Sequence, residues 1–152
     1  MLLKRSFSFF IFLFISFIFI SIFLFLYQNQ ELPLSFYFQK SNITVKACST
    51  CKVLNKTVYI ASSGYQQTRG MMFRNSFEGA YGMLFVMNSS EQICMWMENT
   101  KIPLEQVWIN SDGSISFIKN ATPYNTNITC AQGKYVLEVP YNTINTSGSF
   151  SI

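Results

Sequence analysis

Hydrophobic and polar positions divide this chain into three stretches of different periodicity. From Ser6 to Tyr27, SFSFFIFLFISFIFISIFLFLY, no residue is charged and none is proline. As a helix rising about 1.5 Å per residue, this run reaches about 33 Å, enough to cross a bilayer core of about 30 Å. From Gln28 to Leu54 the pattern is irregular, mixing Pro33, a short aromatic patch and Cys48-x-x-Cys51. That stretch reads as a stem. From residue 55 onward the alternation tightens into a domain.

Within the domain, TVYIA (57–61) alternates as a strand does, and Ser62-Ser63-Gly64 offers capping oxygens to a short helical turn ending near Gly70. MLFVM (83–87) and ICMWM (93–97) read as two strands separated by Asn88-Ser89-Ser90-Glu91. EQVWIN and SISFIK flank Ser111-Asp112-Gly113, a strong hairpin signal. Residues 120–133 read as a long polar loop, KYVLEVP (134–140) as another strand, and SFSI as a truncated last one. The expected fold is mainly β, a single compact β sandwich or barrel with one short helix, preceded by an N-terminal transmembrane helix.

Charge sets the orientation of the apolar run. Lys4 and Arg5 stand before it and no basic cluster follows closely, so residues 1–5 are expected in the cytoplasm and 28–152 outside, at the cell membrane. A cleaved signal peptide is the alternative, although the run exceeds the usual apolar length and lacks a small-x-small cleavage site. A buried core helix is the third. Asn-x-Ser/Thr occurs at Asn42, Asn55, Asn88, Asn127 and Asn145, which are candidate glycosylation sites, and at Asn120, where Pro123 follows. Lys4 and Arg5 supply two of the +4 net charges. The remainder is too little for nucleic acid, and no basic stripe with interleaved aromatics appears. The chain has no histidine, which excludes Ser-His-Asp and Cys-His catalysis.

Four short boxes carry a family resemblance. Arg69-Gly70-Met71-Met72-Phe73-Arg74 resembles the RGLMFR box of the domain of unknown function 192 family, and Gly82-Met83-Leu84-Phe85-Val86 resembles its GMLFVF. Trp96-Met97-Glu98-Asn99-Thr100-Lys101-Ile102-Pro103-Leu104-Glu105 is similar to WMKNTxIPLD, and Tyr135 to Val139 is similar to VLEL. The resemblance implies a compact, mostly β domain behind a signal peptide or anchor, with no established activity. Glu98 stands where the family box has lysine, Glu105 where it has aspartate, and the family's closing Gly-Asp is missing.

Candidate chemistry concentrates around the third box. Pro103 disfavours helix at Ile102, so Glu98 to Lys101 reads as a strand exit or wide turn in which Asn99 and Thr100 satisfy backbone groups. The functional reading sends Asn99, Thr100 and Glu105 into a pocket walled by Trp96 and Trp108, suited to a sugar or another polar ring. Glu138, inside an apolar strand, needs solvent or a partner, and an Arg69–Glu138 ion pair is expected to supply it. A carboxylate hydrolase needs two acids about 5–10 Å apart, drawn from Glu98, Glu105, Asp112 and Glu138. Four cysteines allow three connectivities. Cys48–Cys51 with Cys94–Cys130 is favoured because the second would staple the long loop onto the strand before Trp96, and export argues against a four-cysteine zinc site. Six methionines, Met71, Met72, Met83, Met87, Met95 and Met97, would suit copper(I), but at alternating strand positions they serve as core filler. No metal or cofactor is expected. The expected object is a membrane-anchored binding or interaction module for a cell-surface glycan, a lipid head group or a membrane protein partner. A carboxylate-based hydrolase is the alternative, and a redox or metal-binding protein comes third.

Overall fold

A computed structural model describes residues 15–22, 32–47 and 52–144. The chain divides into two compact units, Met1–Leu32 and Pro33–Ile152. In the first unit residues 15–22, part of the apolar run, are helical and exposed, and the Ser21 hydroxyl donates to the Phe17 carbonyl at 2.8 Å. Among the described residues no helix is long and apolar enough to cross a membrane, and most of the run lies outside them.

The second unit is built on one six-stranded sheet with two short helices. α1 is Leu34–Tyr37, β1 Gln39–Ala47 and β2 Lys52–Ala61, followed by α2, Gly64–Arg69. β3 runs Gly82–Met95, β4 Leu104–Ile109, β5 Ile115–Ala121 and β6 Thr129–Pro140. The order across the sheet is β1-β2-β3-β6-β4-β5, with β1 and β5 at the edges, so it is not a closed barrel. β2 and β3 pair in parallel and every other neighbouring pair is antiparallel. The parallel pair follows from the α2 crossover, since parallel neighbours cannot be joined by a tight turn.

Three local expectations are corrected by pairing partners. The region read as a stem supplies α1 and β1. Leu34 and Phe38 are buried in the core, and both carboxylate oxygens of Glu78 accept from the Leu34 amide, at 3.0 and 2.9 Å. The two strands expected at 83–87 and 93–97 are one strand, β3, with a register shift between Val86 and Glu91. Asn88 to Glu91 lie in this irregular stretch, and β6 carries the pairing on beyond it to Met95. For the same reason β6 begins at Thr129, inside the stretch expected to be loop. The terminal SFSI strand lies outside the described residues.

Helix α2 starts where expected. The Ser63 hydroxyl accepts from the Gln66 amide, and the Gln66 side chain accepts in return from the Ser63 amide, forming a capping box; Gly70 closes the turn. The hairpin turn holds too: Asp112 accepts from the amide and hydroxyl of Ser114, at 2.9 and 2.7 Å. Cys94 and Cys130 are direct register partners on β3 and β6 and form a disulfide. Cys48 and Cys51 lie outside the described residues. Asn42, Asn55, Asn88 and Asn127 are exposed, the first two accepting hydrogen bonds from Thr57 and Thr44, while Asn145 falls outside.

Both faces of the sheet are covered by apolar side chains. One cluster contains Tyr59, Met83, Phe85, Leu104, Trp108 and Val136, with Leu34 and Phe38 of the α1 segment. The other contains Val58, Leu84, Val107, Ile109, Leu137 and Val139. Side-chain direction alternates along a strand, so neighbouring residues of β4 and β6 serve opposite cores. All six residues of β4 are buried.

Gly82 sits where β3 meets β6, and a Cβ there would lie 2.3 Å from the Glu138 carbonyl oxygen, a backbone atom that cannot swing aside. Gly82→Ala should therefore destabilise the domain by about 1–3 kcal/mol, as overpacking does. Urea denaturation of wild type and variant would measure it; an unchanged midpoint would contradict this packing.

A candidate ligand cleft over Glu138

The third box forms a tight turn from Met97 to Thr100. The Thr100 amide donates to the Met97 carbonyl at 3.1 Å, the Thr100 hydroxyl to the Glu98 carbonyl at 3.3 Å, and Asn99 has φ 53°. Asparagine tolerates that left-handed conformation better than most residues. Two other segments hold the turn by backbone alone. The Phe73 amide donates to the Asn99 carbonyl at 2.7 Å, and the Tyr124 amide to the Thr100 carbonyl at 3.1 Å. The box thus ties residues 71–74 to the loop after β5.

Strand parity separates the residues expected to share a pocket. Glu105 and Trp108 are three apart on β4, an odd number, so they face opposite sides of the sheet. Trp108 is fully buried, its indole Nε1 donating to the Ile93 carbonyl at 2.8 Å, so it walls no pocket. Glu105 is buried on the other face, where Oε2 accepts from the Ile144 amide at 2.7 Å. Beside it, burial and then the Glu105 charge push the Tyr81 phenol up. Trp96, 42 % exposed, and the buried Thr100 both border a neighbouring cleft.

These two residues join a cleft of about 360 Å³ between α2 and the β3–β6 part of the sheet. That volume suits a small organic ligand. Phe85, Ile93, Met71, Met72, Met87 and Met95 contribute its apolar lining, and Trp96 the exposed aromatic surface. Glu138 lines it from within, 3 % exposed. Its Oε1 accepts from the Gln106 side-chain amide at 2.9 Å, and the same nitrogen donates to the Met97 sulfur at 3.7 Å. Oε2 accepts from no described residue. Burial pushes the Glu138 carboxyl up to about 7 against this one stabilising hydrogen bond.

The expected Arg69–Glu138 ion pair does not form. Arg69 also lines the cleft, but its guanidinium lies 4.0 Å from the centre of the Tyr37 ring and Nη1 donates to the Tyr65 hydroxyl at 3.4 Å. The α1 segment has taken the cation. Arg74 pairs instead with Glu78, at 3.5 Å. Of the four candidate acids, Glu98 is the one that joins Glu138 in lining the cleft; Glu105 faces away and Asp112 holds its hairpin turn.

A family model for DUF192, described as an uncharacterized ACR, matches residues 45–149. The chain belongs to the DUF192 family. Two solved structures resemble this DUF192 domain. One is a candidate transcription regulator from Sinorhizobium meliloti 1021, with 32 % identity and a TM-score of 0.63 over 68 % of this chain and 81 % of that one. The other is a protein of unknown function from Novosphingobium aromaticivorans DSM 12444, with 28 % identity and a TM-score of 0.60 over 68 % and 75 %. No curated protein matches. α1 and most of β1 precede the matched region, so the Tyr37 contact with Arg69 lies in a segment outside the family model.

Gln106 was not singled out from the DUF192 sequence pattern, yet it is the residue that holds Glu138. Its signal was present: in LEQVWI it stands in phase with Leu104 and Trp108, a polar residue at a core position. The four cleft methionines were singled out, but their convergence depends on α2 folding back over β3.

Glu138 supplies a pH test of this DUF192 cleft. Its folded carboxyl holds a proton up to about pH 7, whereas its ordinary value is 4.5. Between those values the folded state binds more protons than the unfolded state, so stability falls as pH rises. The loss, complete above about pH 7, is on the order of 3 kcal/mol. Asp112, held low by the Ser114 hydroxyl and amide, titrates below this window. Glu138→Gln should abolish the decline; denaturation midpoints at pH 5 and pH 8 measure it, and an equal decline in the variant would place the effect elsewhere.

Proposed function

We propose that this protein is a single-pass, membrane-anchored binding module whose domain stands outside the cytoplasm and whose ligand occupies the cleft over Glu138. The anchor and orientation rest on the charge-free run from Ser6 to Tyr27 behind Lys4 and Arg5. The observation that carries the binding reading is a ligand-sized cleft with an exposed indole, an apolar wall and a buried carboxyl whose second oxygen has no partner among the described residues. Small-ligand sites combine these elements, an apolar lining for affinity and a few polar groups for orientation. Glycans, lipid head groups and side chains of a partner protein are the ligand classes. The cleft is sized for such a group rather than for a metal ion, so its methionines serve as adaptable lining.

A second reading, carboxylate-based hydrolysis, is supported by one observation. Glu98 and Glu138 line the same cleft, and a carboxyl pushed up to about 7 is suited to general acid work. A pair using Glu105 is not supported, since that residue is on the opposite face.

A thermal-shift screen of the full chain against oligosaccharides, phospholipid head groups and short peptides tests the binding reading. A true ligand at about 100 times its dissociation constant adds about 2.7 kcal/mol of stability. The shift should disappear in Trp96→Ala and weaken in Glu138→Gln. A shift that survives both substitutions would move the site elsewhere, and release of product from a chromogenic glycoside, lost in Glu138→Gln, would favour the hydrolase.

A further inference from the structure

The charges around the cleft are unequal. Glu98 and Glu138 are its two carboxylates and Arg69 its one cation among the lining residues. Arg69 is partly engaged: its guanidinium lies over the Tyr37 ring and its Nη1 donates to the Tyr65 hydroxyl, while its buried Nε has no partner among the described residues. Glu138 is 3 % exposed and has one donor, Gln106, for its two oxygens. A buried carboxylate left half-satisfied is costly, and a cation brought against it relieves that cost. The exposed indole of Trp96 adds an attractive surface for the same charge, since an aromatic face attracts cations. Phe85, Ile93 and the methionines leave the remaining volume apolar.

We propose that the cleft selects an organic ammonium cation carried on an apolar body, with Glu138 and Glu98 as counter-charges and Trp96 as the aromatic wall. The inference rests on the cleft being the ligand site and adds the chemical class of the ligand. An ammonium group of this kind is available free in solution or as the head group of an aminolipid.

Three probes that share a phenyl ring and differ in charge test it: phenethylammonium, phenethyl alcohol and phenylacetate. The full chain in phosphatidylglycerol nanodiscs is titrated with each by calorimetry at pH 8, where Glu138 is mainly ionised and the amine is charged. Phenethylammonium should bind at least about tenfold more tightly than the alcohol, with phenylacetate weakest, a ratio equivalent to about 1.4 kcal/mol. Glu98→Lys and Glu138→Gln should each weaken the cation by about tenfold or more while leaving the alcohol unchanged. Glu91→Lys makes the same charge change at an exposed position of β3 away from the cleft and should leave all three unchanged. Repeating the titration in phosphatidylethanolamine nanodiscs separates the sources: weaker apparent binding there identifies the head group as a competitor, and equal binding identifies a free amine.

Equal or tighter binding of the alcohol or of phenylacetate, with loss in Trp96→Ala, would overturn the cation proposal and leave the ligand cleft standing. Equal weakening by Glu91→Lys would also overturn it, as an effect of net charge. No binding by any probe, together with a Trp96-dependent shift in the broader screen, would overturn the ammonium class alone. No binding by any probe and no such shift would remove the cleft reading as well.

Discussion

The pairing of β6 with β3 on one side and β4 on the other is the constraint on which the rest of the domain depends. β6 sits inside the sheet, so its backbone groups are shared with two neighbours and its side chains enter both apolar clusters. Val136 goes to one cluster and Leu137 and Val139 to the other, which places Glu138 on the Val136 side, opposite Gln106 of β4 and next to the cleft. A one-residue slip would exchange the faces and bury Glu138 among Leu84, Val107 and Ile109 with no amide to meet it. The disulfide between Cys94 and Cys130 and the close approach of Gly82 to the Glu138 carbonyl bracket this register along β3.

The same register explains why the cleft has a polar floor. Gln106 gives one amide nitrogen to Glu138 and to the Met97 sulfur, so the third box and the last strand meet through a single side chain. The turn from Met97 to Thr100 is held by backbone bonds from Phe73 and Tyr124 and needs no bound group to satisfy Asn99 or Thr100. Its polar residues are accounted for by local geometry. Among the described residues the buried polar side-chain atoms left without a partner are Arg69 Nε and Arg74 Nη2, while Glu138 has one donor, Gln106, for its two oxygens.

The segment before the matched region changes the domain's electrostatics. Leu34 and Phe38 insert into the core, and Tyr37 lies against both Arg69 and Arg74, at 4.0 and 5.4 Å from the ring centre. Glu78 joins Arg74 to the start of α1. These contacts draw the two arginines of the RGMMFR box toward α1 and away from Glu138. An ion pair that charge alone predicts is therefore replaced by stacking on an aromatic ring supplied from outside the family region.

Local chemistry by itself determined several features: the helix cap at Ser63, the Asp112-Gly113 hairpin, the Met97–Thr100 turn and the family. Each depends on residues close in sequence or on boxes read in order, whereas the choice of Cys94–Cys130 among three connectivities rests on the β3–β6 register. Tertiary structure alone decided the open six-stranded sheet, the joining of two expected strands into β3, and the use of the supposed stem as α1 and β1. It also decided which acids meet. Glu105 and Trp108 look like neighbours along the chain, but alternation sends them to opposite faces. Glu138 and Gln106 are 32 residues apart and become partners because β4 pairs with β6. Periodicity within a strand shows which residues share a face; only pairing between strands shows what each face meets.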